Sequence, residues 1–188
     1  AWCSPSPSVT VVAFRRSAMW IRTMCRGSLS VYTGTGEPWR RASEALGEHG
    51  LPHASVPRTP FQQLWIEWVN VNDLACHMVD EPAIMEEVFA AMTDVQTECF
   101  RAACRAAREE PVAYVVVPDN ITAPIIGPGY FESFCVSAYR QLAEMLAETG
   151  RDVPVAVHMD GDLKPLWDGI GKSRVRMLDS MSPPPDND

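Results

Sequence analysis

The chain has 188 residues, of which 46% are hydrophobic and 21% charged, with a formal net charge of −8. These values fit one globular domain, or a piece of a larger one, and exclude a wholly disordered chain. A sequence pI near 5.0 excludes a strongly basic nucleic-acid binder, because an acidic surface repels phosphate. No run of roughly 18 apolar residues is present to predict a membrane span.

The charge is unevenly spread. Residues 1–60 hold seven Arg and three Glu, a net of +4, and the remainder nets −12. Residues 1–36 contain no Asp or Glu at all, but four Arg and six Ser. An Arg- and Ser-rich, acid-poor opening suits an organellar transit peptide. The absence of an initiator Met, and an Ala1-Trp2-Cys3-Ser4-Pro5 start unlike any secretory signal, favour instead an incomplete chain. Residues 1–58 are therefore expected to form an irregular leader, poorly packed over 1–36, with the ordered segment at 59–188. The six cysteines (Cys3, Cys25, Cys76, Cys99, Cys104, Cys135) form no CxxC pair. Their spacing suits reduced, partly buried thiols in a cytoplasmic protein better than a zinc ribbon or a disulfide scaffold.

From Thr59-Pro60 a helix-entry signal opens a short helix to about Ala75, breakable at Asn70-Val71-Asn72-Asp73. The clearest helix spans 81–109. Asp80 is placed as its N-cap, Pro82 in its first turn, and Ile84, Val88, Met92, Val95, Cys99 and Ala103 on one face. Tyr114-Val115-Val116-Val117-Pro118-Asp119 reads as a strand buried on both faces. A polar loop is expected over 119–129, then a helix from Tyr130 to Thr149 closed by Gly150. Val153 to His158 gives a second strand, about 163–170 a short helix, and Val175 to Ser180 a third strand. Ser182-Pro183-Pro184-Pro185-Asp186 then forms a stiff arm.

Strand, helix, strand, helix, strand implies parallel strands with crossover helices in an α/β fold. No Gly-rich phosphate loop follows a strand, which argues against a dinucleotide fold. Polar groups sit directly after each strand instead: Asp119-Asn120, His158-Asp160 and Asp179-Ser180. In a (β/α)8 TIM barrel such positions form the C-terminal rim where chemistry occurs, and a full barrel needs about 250 residues. The expectation is therefore a partial (β/α)8 barrel.

His158 ends a buried strand two residues before Asp160, with Gly161 next. Imidazole and carboxylate at one strand tip suit proton transfer or a shared metal. The bland alternatives are a His–carbonyl bond, with Asp160 capping the helix at Leu163. Asp119, ending the preceding strand, is expected on the same mouth, or else as a turn-forming Asx pair with Asn120. Asn120, Asp179 and Asp186 are candidate ligand contacts, and His158 with Asp160 a candidate metal pair. His49, His53 and His77 occupy no HxH or HExxH arrangement, which disfavours a metallohydrolase.

The run Val155 to Lys164, followed by Met177 to Asp188, resembles the uroporphyrinogen decarboxylase superfamily. That superfamily has an xHxxG strand end and a later acidic strand tip followed by (T/S)PPP. Asp119-Asn120 with its Pro-Gly loop and the helix start at Tyr130-Phe131 are similar too. The resemblance runs over about 110–188, more faintly over 59–110. It implies a (β/α)8 barrel with its site at the C-terminal mouth, and one of two chemistries. One branch decarboxylates tetrapyrrole acetates without a cofactor. The other moves methyl groups between a corrinoid, with its carrier protein, and a thiol, using zinc held by His-x-Cys-Gly and a later Cys. Here Asp160 stands where that motif has cysteine. The expected ligand is thus a small molecule or tetrapyrrole, with no nucleic-acid or membrane partner. A half-barrel with open strand edges is also expected to aggregate, or to pair with a copy of itself or with its missing half. The alternative is a truncated or diverged chain that at most binds a ligand.

Overall fold

The computed structural model describes residues 37–187. The acid-free opening at 1–36, expected to be a poorly packed leader, lies outside the described residues.

Four strands form one sheet: β1 (His53–Ser55), β2 (Tyr114–Ile121), β3 (Val155–Met159) and β4 (Met177–Asp179). They lie in the order β1-β2-β3-β4, and every neighbouring pair is parallel. Parallel neighbours need a crossover between them, and helices supply each one. These are α2 (Pro60–Gln63), α3 (Val71–Asp80) and α4 (Pro82–Glu109), then α5 (Ala123–Tyr130) and α6 (Ser137–Ala147), then α7 (Trp167–Lys172). A further helix, α1 (Glu37–Leu46), precedes β1. The fold is α/β with an all-parallel sheet.

The sheet begins before residue 59: β1, inside the stretch expected to be a leader, pairs His53 with Tyr114 and Ser55 with Val116. His-Ala-Ser is too short and too polar to announce a strand.

The two faces of the sheet differ. Ala54, Val115, Val117, Val155, Val157 and Met159 are each 1% exposed or less and sit in the core with Phe100, Tyr139 and Leu142. On the opposite face Ser55, Val116, Pro118 and His158 are half-buried, while Met177 and Asp179 are exposed. Side chains alternate along a strand, so one set meets the helix layer and the other forms the opposite face, which is buried at Ala156 and opens toward the strand ends.

Several elements depart from the sequence-based expectation. The helix after Thr59 passes through a π-helical turn at Leu64–Trp68 and stops. Asn70 then caps α3, its Oδ1 accepting from Asn72 N at 3.1 Å and Asp73 N at 3.0 Å. Asn70 thus starts a helix as well as breaking one. Asp80 ends α3, and the cap position of α4 is Glu81, whose side chain makes no cap bond. The buried face of α4 runs through Met85, Phe89, Gln96 and Phe100 beside Val88, Met92 and Cys99, about one residue out of phase with Ile84 and Val95. The expected polar loop is mostly structured: β2 runs to Ile121, and α5 covers 123–130 with a kink at Gly127, φ +63°. Pro124 is tolerated because it lies in the first turn.

Candidate active site at the strand ends

β3 and β4 pair with His158 opposite Asp179. Facing residues of a parallel pair project on the same side, and His158 Nδ1 lies 3.2 Å from Asp179 Oδ2 on the face away from the helix layer. The carboxylate therefore selects the tautomer with hydrogen on Nδ1, leaving Nε2 to accept or deliver a proton. The hydrogen bond from His158, helped by Ser180, holds the Asp179 carboxyl below the usual carboxylate range.

β2 approaches the same mouth through a bulge. Val117 faces Val157, but Ile121 faces Met159, so residues 118–120 of β2 stand against His158 alone. Pro118 suits that place, since a bulge asks less of the ladder donors. Its carbonyl accepts from the Arg58 guanidinium. The bulge brings Asn120 to Asp160: with the amide turned to donate, Asn120 Nδ2 lies 3.0 Å from Asp160 Oδ1. Asn120, His158, Asp160 and Asp179 thus gather at one set of strand ends.

Asp119 does not join them. Its side chain points to the helix layer and is fully buried, a correction to the expectation that it faces the mouth. Thr59 N and Oγ1 donate to its two oxygens at 2.7 and 2.8 Å, and Tyr139 Oη donates at 2.6 Å. Cys135 Sγ lies 3.4 Å from Thr59 Oγ1. Burial pushes the Asp119 carboxyl up to about 6, against the hydrogen bonds from Tyr139 and Thr59 and the charge of Arg58. Burial likewise raises the Cys135 thiol and the Tyr139 hydroxyl, each assisted by the charge of Asp119. Thr59 makes no helix-cap bond with its side chain; its hydroxyl serves Asp119 instead. The period-two pattern was the signal for this placement, because Asp119 shares the phase of Val115 and Val117.

Beyond β3 the chain turns at Gly161, φ +73°, where a side chain would be strained. Asp162, rather than Asp160, caps the following turn, its Oδ1 accepting from Lys164 N at 3.0 Å. The proline arm folds back onto this loop. Asp186 is exposed on it, its N–H bonded to Pro183 O at 3.2 Å. Among the described residues, no three of His, Cys, Asp and Glu converge as a metal-binding group. His158 and Asp160 are engaged by Asp179 and Asn120, and the Cys135 thiol lies with Thr59 and Asp119 on the helix-layer side. These donors do not fit a zinc centre, which needs at least three protein ligands.

A sequential parallel sheet with helical crossovers, and an imidazole–carboxylate pair at its C-terminal strand ends, defines an α/β protein. The family model for uroporphyrinogen decarboxylase (URO-D) matches residues 69–183. The chain belongs to that family. Neither a curated protein nor a solved structure matches it. The matched segment contains Asp119, Asn120, His158, Asp160 and Asp179, while Asp186 lies beyond it. No helix among the described residues is long and apolar enough to cross a membrane.

Proposed function

We propose that the chain carries part of a (β/α)8 barrel whose mouth performs a URO-D-type decarboxylation, with His158 as proton donor and acceptor and Asp179 holding its ring. The sequential order of four parallel strands, joined by three helical crossovers, supports the barrel. The observation that carries the chemistry is the 3.2 Å contact between His158 Nδ1 and Asp179 Oδ2 at the ends of adjacent strands.

Loss of CO2 from an acetate arm on an electron-rich ring needs a sink for the bonding electron pair. Protonation of the ring carbon by the His158 imidazolium supplies it and makes the ring cationic. The C–C bond to the carboxylate then breaks, its electrons neutralise the ring, and CO2 leaves. A proton delivered to the exocyclic carbon then forms the methyl group, and the ring carbon returns its first proton to the His158 imidazole, which restores the aromatic ring, so that one net proton replaces CO2. The carboxylates of Asp160 and Asp179 lie at these strand ends. They stabilise the cationic ring, and their repulsion of the substrate carboxylate is relieved as CO2 departs. Methyl transfer through zinc is the weaker reading, because Asp160 replaces the thiolate and, among the described residues, no third donor joins it.

The test measures CO2 release from uroporphyrinogen, alongside methyl transfer from a methylated corrinoid to a thiol, for the wild type and His158→Ala. Decarboxylation is expected in the wild type, with a loss of about 100-fold or more in His158→Ala and an unchanged circular-dichroism spectrum. Decarboxylation that survives the substitution, or methyl transfer alone, overturns the proposal. Inactivity of the folded wild type in both assays overturns it in favour of a ligand-binding role without catalysis.

A further inference from the structure

We infer that Asn187, acting with Ser182, is a positioning residue for the His158–Asp179 pair. The strand that carries Asp179 is weakly held. β4 has only three residues, pairs among the described residues with β3 alone, and carries an Asp179 side chain that is 65% exposed. Short edge strands with exposed backbone open most easily. The segment after β4 offsets this weakness.

Asn187 is 7% exposed, although it sits at the end of a polar arm. Its side chain uses one acceptor and two donors, the full pattern an amide offers to three partners. Oδ1 accepts from Leu163 N at 2.9 Å, and Nδ2 donates to Gly161 O at 2.7 Å and to Ser182 O at 3.1 Å. Ser182 Oγ accepts in turn from Gly161 N at 2.7 Å. The bond from Nδ2 to Ser182 O closes the arm on itself around Pro183, Pro184 and Pro185. The other two bonds fasten that closed arm to the loop leaving β3.

The connection to the mouth is short. Gly161 is three residues after His158, and Ser182 is three residues after Asp179. The two strand exits are therefore joined just beyond the contact between His158 and Asp179. With the exits joined, the two side chains stay within hydrogen-bond reach; with them parted, β4 frays and His158 loses its carboxylate. Ser182 falls within the family-matched segment and Asn187 beyond it.

The test reads the pair directly and needs no substrate. In the wild type, the nitrogen shifts of neutral His158 should report hydrogen on Nδ1, and Asp179→Asn supplies the spectrum of the ring without its carboxylate. Asn187→Asp keeps the size of the side chain but sets acceptors against the Gly161 and Ser182 carbonyls. Asn187→Ala removes all three bonds, and Ser182→Ala removes one. Both Asn187 variants should move His158 toward the Nε2–H form and return the Asp179 carboxyl to about 3.9, its ordinary value, with Ser182→Ala intermediate. Folded variants that keep the wild-type tautomer and Asp179 titration overturn the inference. If Asn187→Ala does not fold, Ser182→Ala decides: a shifted tautomer supports the inference and an unchanged one overturns it. The inference rests on the reading of His158 and Asp179 as the functional pair. Its readout is separate, because the tautomer can respond even if His158→Ala leaves decarboxylation intact.

Discussion

The Tyr139 hydroxyl donates to Asp119 Oδ2 across 2.6 Å, and neither residue has any solvent exposure. Tyr139 lies on α6 and Asp119 in the bulge of β2, so this bond ties the helix layer to the strand end that presents Asn120. Near pH 7 the carboxyl, pushed up to about 6, is mostly ionised, and a donor to a buried charged group stabilises by about 1.5–3 kcal/mol. Tyr139→Phe deletes only the hydroxyl. It is expected to lower stability by about that amount in urea at pH 7 with an unchanged m-value. It should also raise the Asp119 carboxyl further, since the lost bond favours the ionised form. An unchanged midpoint would show that the bond is not formed in solution.

Asp119 makes stability depend on pH in an unusual direction for a carboxylate. Its folded value of about 6 lies above the roughly 3.9 of an unfolded chain. Between those values the folded state keeps a proton that the unfolded state has released. The contribution is therefore fully present below about pH 4 and is lost as pH rises through about 6. A shift of about two pKa units corresponds to about 3 kcal/mol. The protonated form can be accommodated, because Thr59 Oγ1 can accept from Asp119 and turn its own hydrogen toward Cys135 Sγ at 3.4 Å. Asp119→Asn removes the titration. Measured by denaturation at pH 4 and pH 7, its stability relative to the wild type should improve by about 2 kcal/mol at the higher pH. A difference that stays flat across this range would exclude a raised Asp119.

The parts legible in the sequence were those with dense local patterns. Three successive valines announced β2, Val155-Ala156-Val157 announced β3, and the 28 residues of α4 held their helical period throughout. β1 has no such pattern; His53-Ala54-Ser55 becomes a strand only because β2 offers it a partner. α5 was hidden by Pro124, Gly127 and Pro128, which are turn residues until the kink at Gly127 accommodates them. At the site, His158, Asp160 and Asp179 were legible as polar residues ending apolar strands. The pairing of His158 with Asp179 was not, because it depends on the register of β3 against β4. The knot around Asp119 was harder still: Thr59 is 60 residues away from it and Tyr139 is 20, and no local rule connects residues so far apart.

Gln96 is a polar residue inside the apolar face of α4, 3% exposed, with Nε2 donating to Arg58 O at 3.1 Å. Arg58 precedes Thr59, so this bond braces the segment that grips Asp119. Gln96→Leu increases apolar burial but leaves the Arg58 carbonyl without its donor. The expected outcome is a net loss of about 1 kcal/mol in chemical denaturation, because an unmade hydrogen bond in a partly buried site outweighs the added methyl groups. A stabilised variant would show that water replaces the amide at no cost.

Gly161 is required twice over. Its φ of +73° lies in the left-handed region, and a Cβ placed there would sit 2.5 Å from Thr122 Oγ1 and 3.1 Å from Thr122 Cβ. The left-handed conformation costs a residue with a side chain about 1–2 kcal/mol, and the clash adds to it. Thr122→Ala removes the nearer atom. That change alone should cost little, since Thr122 makes no side-chain cap bond to α5. Gly161→Ala in the wild-type background is expected to lose about 2–4 kcal/mol, with the backbone and steric terms combined. In the Thr122→Ala background the same substitution should lose about 1–2 kcal/mol, because only the backbone term and the milder contact with Cβ remain. The coupling between the two positions, read from a double-mutant cycle of urea midpoints, should therefore be about 1 kcal/mol or more. A cycle that closes with no coupling would mean that the loop shifts to admit the methyl group, and that the backbone angle alone keeps glycine at the end of β3.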